Sequence, residues 1–442
     1  MFKRIALTLL LCFTWRVDAQ EQVDEEAMFS DIDAVVMETK DIVTEAPIEE
    51  EKKSLGLSGE ATSVANYIRV VEDNGLLDGS QDFSNYVLGN FLLDARLKKG
   101  TKGFANIQLI YDPEDVQRAD DFSVKEMFVD FNIKNKIYFR TGKQVLVWGR
   151  TYLWNPSDLI NIEKNTFLTR IGAREGSYGL KMHIPFGTKY NIYSFIDTSK
   201  ASEIGGAGKF EFIIGRTEMA FSAWYKRNYK PVGAYDFSTR ISSIDIRGEA
   251  ALSYKDNTNR IRVNNGVLEQ YTNEDKWVPK ASINFGRAFD YGDEVDKVML
   301  NLELFYDGAG YTDNLFADRN EYTFDSPINV YEGSGQLSTY SVGTKRDYLL
   351  YNNLYDINHL SRYYAVFFAT VNKFIRSELT LTMNLISNIS DESYILATGL
   401  NYLDINDLKF GLQFYFNLGE KDSEYTALGR GIQTQFTAGI LF

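Results

Sequence analysis

The chain has 442 residues, of which 14% are aromatic, with 7 prolines, 2 histidines, a single cysteine and a formal net charge of -14. Cys12 is that cysteine, and its place near the N-terminus leaves the rest of the chain without disulfides, thiolate zinc sites or a cysteine nucleophile. The acidic balance and the lack of a basic patch disfavour nucleic-acid binding.

Lys3 and Arg4 precede a short apolar core, Ile5 to Phe13, and Val17-Asp18-Ala19 offers a small-x-small cleavage site, so residues 1–19 read as a signal peptide with Gln20 as the first mature residue. The apolar core is too short to span a membrane as a helix, and no later stretch approaches the roughly 18 apolar residues that a span needs. Residues 20–54 form an acidic extension with twelve acids and three lysines. Its composition predicts a segment without fixed structure, periplasmic if the strands that follow form a barrel in the outer membrane, although Met28, Phe29, Ile32, Val35 and Val36 recur at a spacing that would allow one short amphipathic helix.

From residue 55 to 442 the pattern is strand, connector, strand. Leu300, Leu302, Leu304 and Tyr306 alternate with Asn301, Glu303, Phe305 and Asp307. Leu379, Leu381, Met383 and Leu385 alternate with Glu378, Thr380, Thr382 and Asn384, and Phe410 to Asn417 repeat the pattern. Period-two alternation marks strands with one apolar face. The other face carries amides, carboxylates and hydroxyls, as a wet lumen requires, and a mean hydropathy of -0.28 is compatible with strands of which only alternate residues meet lipid. Trp148, Trp224, Tyr225, Tyr254, Tyr306, Tyr363 and Tyr364 lie near strand ends and suit interfacial girdles. The fold class expected is therefore all-β, a transmembrane antiparallel up-and-down β-barrel.

Seventeen candidate strands are visible, one of them over 136–148, and Asp236 to Ile241 makes an eighteenth if the chain turns at Ser242-Ser243. A barrel with both termini periplasmic needs an even count, so 16 to 18 strands are expected. Connectors alternate in length. Lys98 to Lys102, Asn132 to Lys136 and Pro185 to Lys189 are short, whereas Asp112 to Ser123, Gly149 to Glu175 and Ala309 to Leu360 are long enough for extracellular loops.

Residues 137–160 carry the most particular motif. With Ile137, Phe139, Val145 and Val147 toward lipid, Tyr138, Arg140, Gln144, Trp148 and Arg150 face the lumen beside Glu126, Phe128 and Asp130. Arg140 can then pair with Glu126 or Asp130 across strands. Gly149 permits a bend, and Pro156 fixes a turn that carries Asp158. Arg170 and Arg174 add positive charge to the same loop. These groups are candidates for lining a pore, where their field would set ion preference, or for positioning the loop through salt bridges.

An enzyme is not expected. His183 and His359 are the only histidines, no Gly-x-Ser-x-Gly elbow is present, and Gly308-Ala-Gly310 lacks the remainder of a nucleotide loop. Asp313, Asp318 and Glu321 could approach Ca²⁺, but their spacing is not that of a known calcium loop. No cofactor and no metal are expected.

The chain ends on an unbroken alternation in which Ile432, Thr434, Phe436, Ala438, Ile440 and Phe442 share one face. This resembles the closing strand of Gram-negative outer-membrane β-barrels. The resemblance implies that Phe436, Ile440 and the terminal Phe442 form the signal read by the barrel-insertion machinery. Gly142-Lys143-Gln144, Trp148-Gly149-Arg150 and Asn155-Pro156-x-Asp158 are similar to a stretch in porin-like barrels of alginate-export-like and uncharacterised families, where it rises into a loop folded over the lumen. That likeness covers about 25 residues and implies a superfamily, not a solute. The function it implies is a bacterial outer-membrane channel for passive diffusion of small hydrophilic solutes or ions. The alternative is a non-conducting barrel acting as adhesin, assembly factor or structural anchor. Expected partners are outer-membrane lipids, lipopolysaccharide and the insertion machinery. No feature distinguishes a trimer from a monomer.

Overall fold

The computed structural model describes residues 54–442 apart from 73–80, 98–99, 113–121, 159, 161–175, 273–274, 332–336, 404–405 and 428–429. The expected signal peptide, the expected acidic extension up to Lys53, and Arg170 and Arg174 fall outside the described residues.

Eighteen antiparallel strands form one closed sheet among the described residues. In chain order they are β1 (Ser54–Glu72), β2 (Gln81–Arg96), β3 (Lys102–Tyr111), β4 (Phe122–Ile133), β5 (Ile137–Gln144), β6 (Ser177–Phe186), β7 (Tyr190–Asp197), β8 (Gly205–Ile214), β9 (Thr217–Lys226), β10 (Val232–Ile241), β11 (Ile244–Tyr254), β14 (Trp277–Tyr291), β15 (Glu294–Asp307), β18 (Tyr363–Val371), β19 (Leu379–Asn388), β20 (Ser393–Leu403), β21 (Leu408–Leu418) and β22 (Arg430–Leu441). Each pairs with its neighbour, and β1 closes on β22 from Glu60↔Leu441 to Glu72↔Arg430. Closure leaves no free edge in the wall. The chain's last residue joins this seam: the Phe442 N–H donates to the Gly59 carbonyl at 3.0 Å, and the Gly59 N–H donates back at 2.8 Å.

The eighteenth strand is β10, which contains the weak segment 236–241 and turns into β11 at Ser242-Ser243, where Ser242 takes a φ of +57°. Short turns on one rim alternate with mostly longer connectors on the other, although residues 227–231 and 389–392 are short links on that second rim. Both described ends, Ser54 and Phe442, lie at the short-turn rim.

Register separates the two faces. Val129, Phe131, Phe210, Phe221, Leu304, Met383, Phe410, Phe436 and Ile440 are exposed on the outside, whereas Asn66, Glu126, Lys209, Ser222, Asp236, Glu249, Asn284, Glu303 and Gln435 are buried within. This is the polar-in, apolar-out order of a barrel made for lipid. Among the aromatics expected in girdles, Tyr225, Tyr254 and Tyr363 are exposed outside, but Trp148, Trp224 and Tyr364 are buried. The reason is parity: Trp224 and Tyr225, like Tyr363 and Tyr364, are neighbours on one strand and must point to opposite faces.

The expectation of one strand over 136–148 is corrected. β5 stops at Gln144, and residues 145–158 leave the wall. Val145 and Val147 therefore do not continue the lipid-facing row of Ile137 and Phe139.

Two long connectors build a second, four-stranded sheet from β12 (Arg260–Asn264), β13 (Val267–Tyr271), β16 (Tyr322–Tyr331) and β17 (Leu337–Gly343). The short helix α1 (Lys345–Tyr351) follows, capped reciprocally by Thr344 and Asp347. Ile261, Leu268, Phe324, Ile328, Tyr348 and Leu349 form its core. Arg260 ties this sheet to the barrel, bonding Asp307 of β15 at 2.8 Å and the Leu360 carbonyl at 3.1 Å.

Candidate functional site

The segment that leaves β5 crosses toward strands far along the chain, and the wall there is polar where it arrives. Arg150 sits in a cage of three carboxylates: Nε to Asp236 at 2.5 Å, Nη1 to Glu218 at 2.6 Å and Nη2 to Glu211 at 2.9 Å. These acids come from β10, β9 and β8. Lys209 of β8 lies 3.0 Å from the second Asp236 oxygen and donates to the Trp148 carbonyl at 2.7 Å. A guanidinium presents five fixed donors, so one arginine can gather three strands at once.

Two further wall carboxylates hold the backbone. Glu249 of β11 accepts the Arg150 N–H, the Thr151 N–H at 2.7 Å, the Ser157 N–H at 3.0 Å and the Ser157 hydroxyl at 2.7 Å. Glu303 of β15 accepts the N–H groups of Tyr152 at 2.8 Å, Leu153 at 3.2 Å and Trp154 at 2.8 Å. Three successive amides converge on that side chain. An irregular segment inside a barrel has no ladder to satisfy its backbone, and these carboxylates supply the missing acceptors. The Ser282 hydroxyl donates to the Trp154 carbonyl at 2.8 Å. The expected turn is present, with the Asp158 N–H bonded to the Asn155 carbonyl at 3.0 Å.

Gly149 is required for a different reason from the one expected. Its φ is not positive. A Cβ there would stand 2.6 Å from the Asn155 Cβ and 2.8 Å from a Glu249 oxygen, so the close approach of the segment to the wall excludes a side chain.

Trp154 is the apolar anchor. It is fully buried, stacks on Phe305 at 5.3 Å with an interplanar angle of 8°, and lies 5.7 Å from Tyr364. Its indole N–H donates to the Asn358 carbonyl at 3.0 Å. The 309–360 connector thus does two things: its middle builds the four-stranded sheet, and its end turns back to meet the crossing segment. Asn358 in turn donates its N–H to Glu424 at 3.0 Å. Glu424 also accepts from the Tyr364 hydroxyl at 2.8 Å and the Asn388 amide at 2.6 Å. Burial, with the Asp391 carboxylate nearby, pushes the Glu424 carboxyl up to about 8, and burial raises Asp391 as well.

The residues singled out from sequence fall into groups. Arg150, Trp148, Asp158 and the Asn155-Pro156 turn lie on the crossing segment. Arg140 lies opposite Asp130 and bonds it with both Nε at 2.7 Å and Nη2 at 2.9 Å, with its guanidinium 3.7 Å from the Phe128 ring centre. Glu126 accepts the Val145 N–H at 2.8 Å, and Gln144 donates to the Gly179 carbonyl at 3.2 Å. Phe436, Ile440 and Phe442 lie on the outer face at the seam. Asp318 bonds Lys345 at 2.7 Å and the Tyr322 hydroxyl at 2.8 Å. No group of three or more His, Cys, Asp or Glu side chains placed to hold a metal ion occurs among the described residues.

Sequence reasoning missed the receiving wall: Lys209, Glu211, Glu218, Asp236, Glu249 and Glu303. A faint signal existed in Glu303 and Glu249, carboxylates on the inward face near the middle of their strands.

No protein-family model and no curated protein sequence matches the chain. Solved structures do. OccAB1 of Acinetobacter baumannii aligns with a TM-score of 0.51 at 10% identity, covering 89% of this chain and 99% of that one. OccK2 (OpdF) of Pseudomonas aeruginosa aligns with a TM-score of 0.51 at 7% identity over 88% and 97% of the two chains. A BenF-like porin from Pseudomonas fluorescens Pf-5 gives 0.51 at 8% identity over 87% and 98%. Together with the closed sheet of eighteen strands, this likeness shows the fold: the chain is an antiparallel β-barrel with the fold of these solved structures.

Proposed function

We propose that this protein is an outer-membrane channel through which small hydrophilic solutes or ions diffuse passively, with residues 145–158 as the element that narrows its lumen. The observation that carries the reading is the crossing segment itself, held by Arg150, Glu249 and Glu303 to wall strands β8 to β15. A barrel of eighteen strands encloses an aqueous lumen unless loops fill it. Here the segment that enters is short and is fastened at both backbone and side chain, which suits a fixed constriction of a pore. The short-turn rim faces the periplasm in this reading, and the long connectors face outward. The outer surface meets lipid and lipopolysaccharide.

A second reading, a non-conducting barrel that presents a binding surface, draws support from the four-stranded sheet built by the connectors 255–276 and 308–362. Single-channel recording of the protein in a planar bilayer separates the two. Discrete conductance steps that grow when Glu303 is replaced by glutamine support the channel; verified insertion without current sinks it in favour of the second reading.

A further inference from the structure

The short-turn rim carries a run of three basic turns. Three successive hairpins, β4–β5, β6–β7 and β8–β9, turn through Lys134-Asn135-Lys136, Gly187-Thr188-Lys189 and Gly215-Arg216. Lys134, Lys136, Lys189 and Arg216 are all exposed, no acid lies in these turns, and none of the four forms an ion pair with another described residue. On the other side of the rim, the β14–β15 hairpin carries Asp290, Asp293, Glu294 and Asp296, and the neighbouring β18–β19 turn carries Lys373 and Arg376. Exposed cations on three successive turns with no acid among them suit a partner of opposite charge.

The chain supplies one. Residues 20–53 precede β1, which starts at the same rim with Ser54 paired to Arg96 of β2. This stretch contains twelve acids and three lysines, with Glu49, Glu50 and Glu51 close to β1 in sequence and Glu21, Asp24, Glu25, Glu26, Asp31 and Asp33 earlier in the chain. Its 34 residues span up to about 110 Å when extended. With strands about 4.8 Å apart, the β8–β9 turn lies only about 34 Å along the rim from β1. Reach is not limiting, and tethering raises the local concentration of the acids at the rim.

We propose that the basic turns β4–β5, β6–β7 and β8–β9 are the docking site of the chain's own acidic segment, residues 20–53, which lies along one side of the short-turn mouth. The competing occupant of such a surface is the phosphate of membrane lipids, and the test distinguishes the two.

With Cys12 the only cysteine and inside the signal peptide, single-cysteine pairs report proximity without background. Glu26→Cys is combined with Thr188→Cys in one protein and with Asp293→Cys in the other, in the otherwise complete chain. The two rim positions lie at comparable distances from β1 in opposite directions, about six strands each way. In vesicles of phosphatidylcholine at low salt, disulfide formation to position 188 is expected to exceed that to 293 by about fivefold, the size of one or two surface ion pairs. The excess disappears at 1 M salt, where screening shortens to about 3 Å. It also disappears when the remaining acids at 21, 24, 25, 31 and 33 are replaced by their amides. Equal yields at low salt overturn the proposal. An excess abolished by adding anionic phosphatidylglycerol to the vesicles overturns it in favour of lipid phosphate as the occupant in the membrane.

Discussion

Trp154 and Glu303 lie 149 residues apart in the chain, yet the backbone N–H of the first donates to the carboxylate of the second at 2.8 Å. The Tyr152 and Leu153 amides join the same carboxylate. A single side chain of the barrel wall therefore satisfies three consecutive donors of a segment that has no strand partner. If the segment is the constriction, Glu303 is its principal fastening. Glu303→Gln puts an NH₂ group among three donors, and a buried donor left unmatched costs about 1–3 kcal/mol. Single-channel records are expected to show larger or fluctuating conductance; an unchanged trace would remove residues 145–158 from the permeation path.

Arg150 is saturated by Asp236, Glu211 and Glu218. Its replacement by glutamine uncovers acids instead of removing a free cation from a pore. Breaking such a partly buried cluster costs about 3 kcal/mol at most, less because Glu218 is half exposed. Reversal potentials in a salt gradient are expected to shift toward cations. A shift toward neither ion would show that the cluster positions the segment without facing the solute path.

Gly149→Ala tests the close approach directly. The new methyl group meets Asn155 and Glu249 well inside contact distance. Overpacking of this kind costs about 1–3 kcal/mol, and the variant is expected to reproduce the conductance phenotype of Glu303→Gln. Gly233→Ala, where a Cβ meets nothing within 4 Å, is the neutral control.

Glu424 gives a pH dependence with a definite sign. Its carboxyl is raised from 4.5 to about 8, so the folded loop holds the proton more tightly than the unfolded chain. The stabilisation is complete below about pH 4.5 and is lost as pH rises toward 8. Hydrogen exchange of residues 419–427, corrected for the intrinsic rate, is expected to be slower at pH 5 than at pH 8.5. In Glu424→Gln, which mimics the protonated acid, most of that difference should vanish; Asp391, also raised, accounts for any remainder.

Phe442 closes the seam through two backbone bonds to Gly59, and its ring lies 6.0 Å from Phe91. Removing it loses both bonds at the point where first and last strands meet. The fraction of chain that resists unfolding in detergent at room temperature is expected to fall, while the same chain with Phe442→Tyr should match the original.

Strand identity was legible because it depends on a local period. A residue two positions away shares its face, so Leu300 to Asp307 or Ile432 to Phe442 declare a strand and its sides without any partner. β10 was faint because Gly233 and Ala234 interrupt the alternation, and its membership was settled by pairing on both edges with β9 and β11. The motif at 142–158 announced a departure from the wall. It could not announce the destination, since Arg150 finds its acids 61 to 86 residues later. Trp224 and Tyr364 were misassigned to girdles because strand ends attract aromatics on both faces, and only closure of the barrel decides which parity is inside. The sequence by itself determined the period and the polarity of the strands, both properties of neighbours in the chain. Only the tertiary structure decided that Glu249 and Glu303 receive the crossing segment, because a buried backbone donor takes whichever acceptor the closed wall places before it, however distant in sequence.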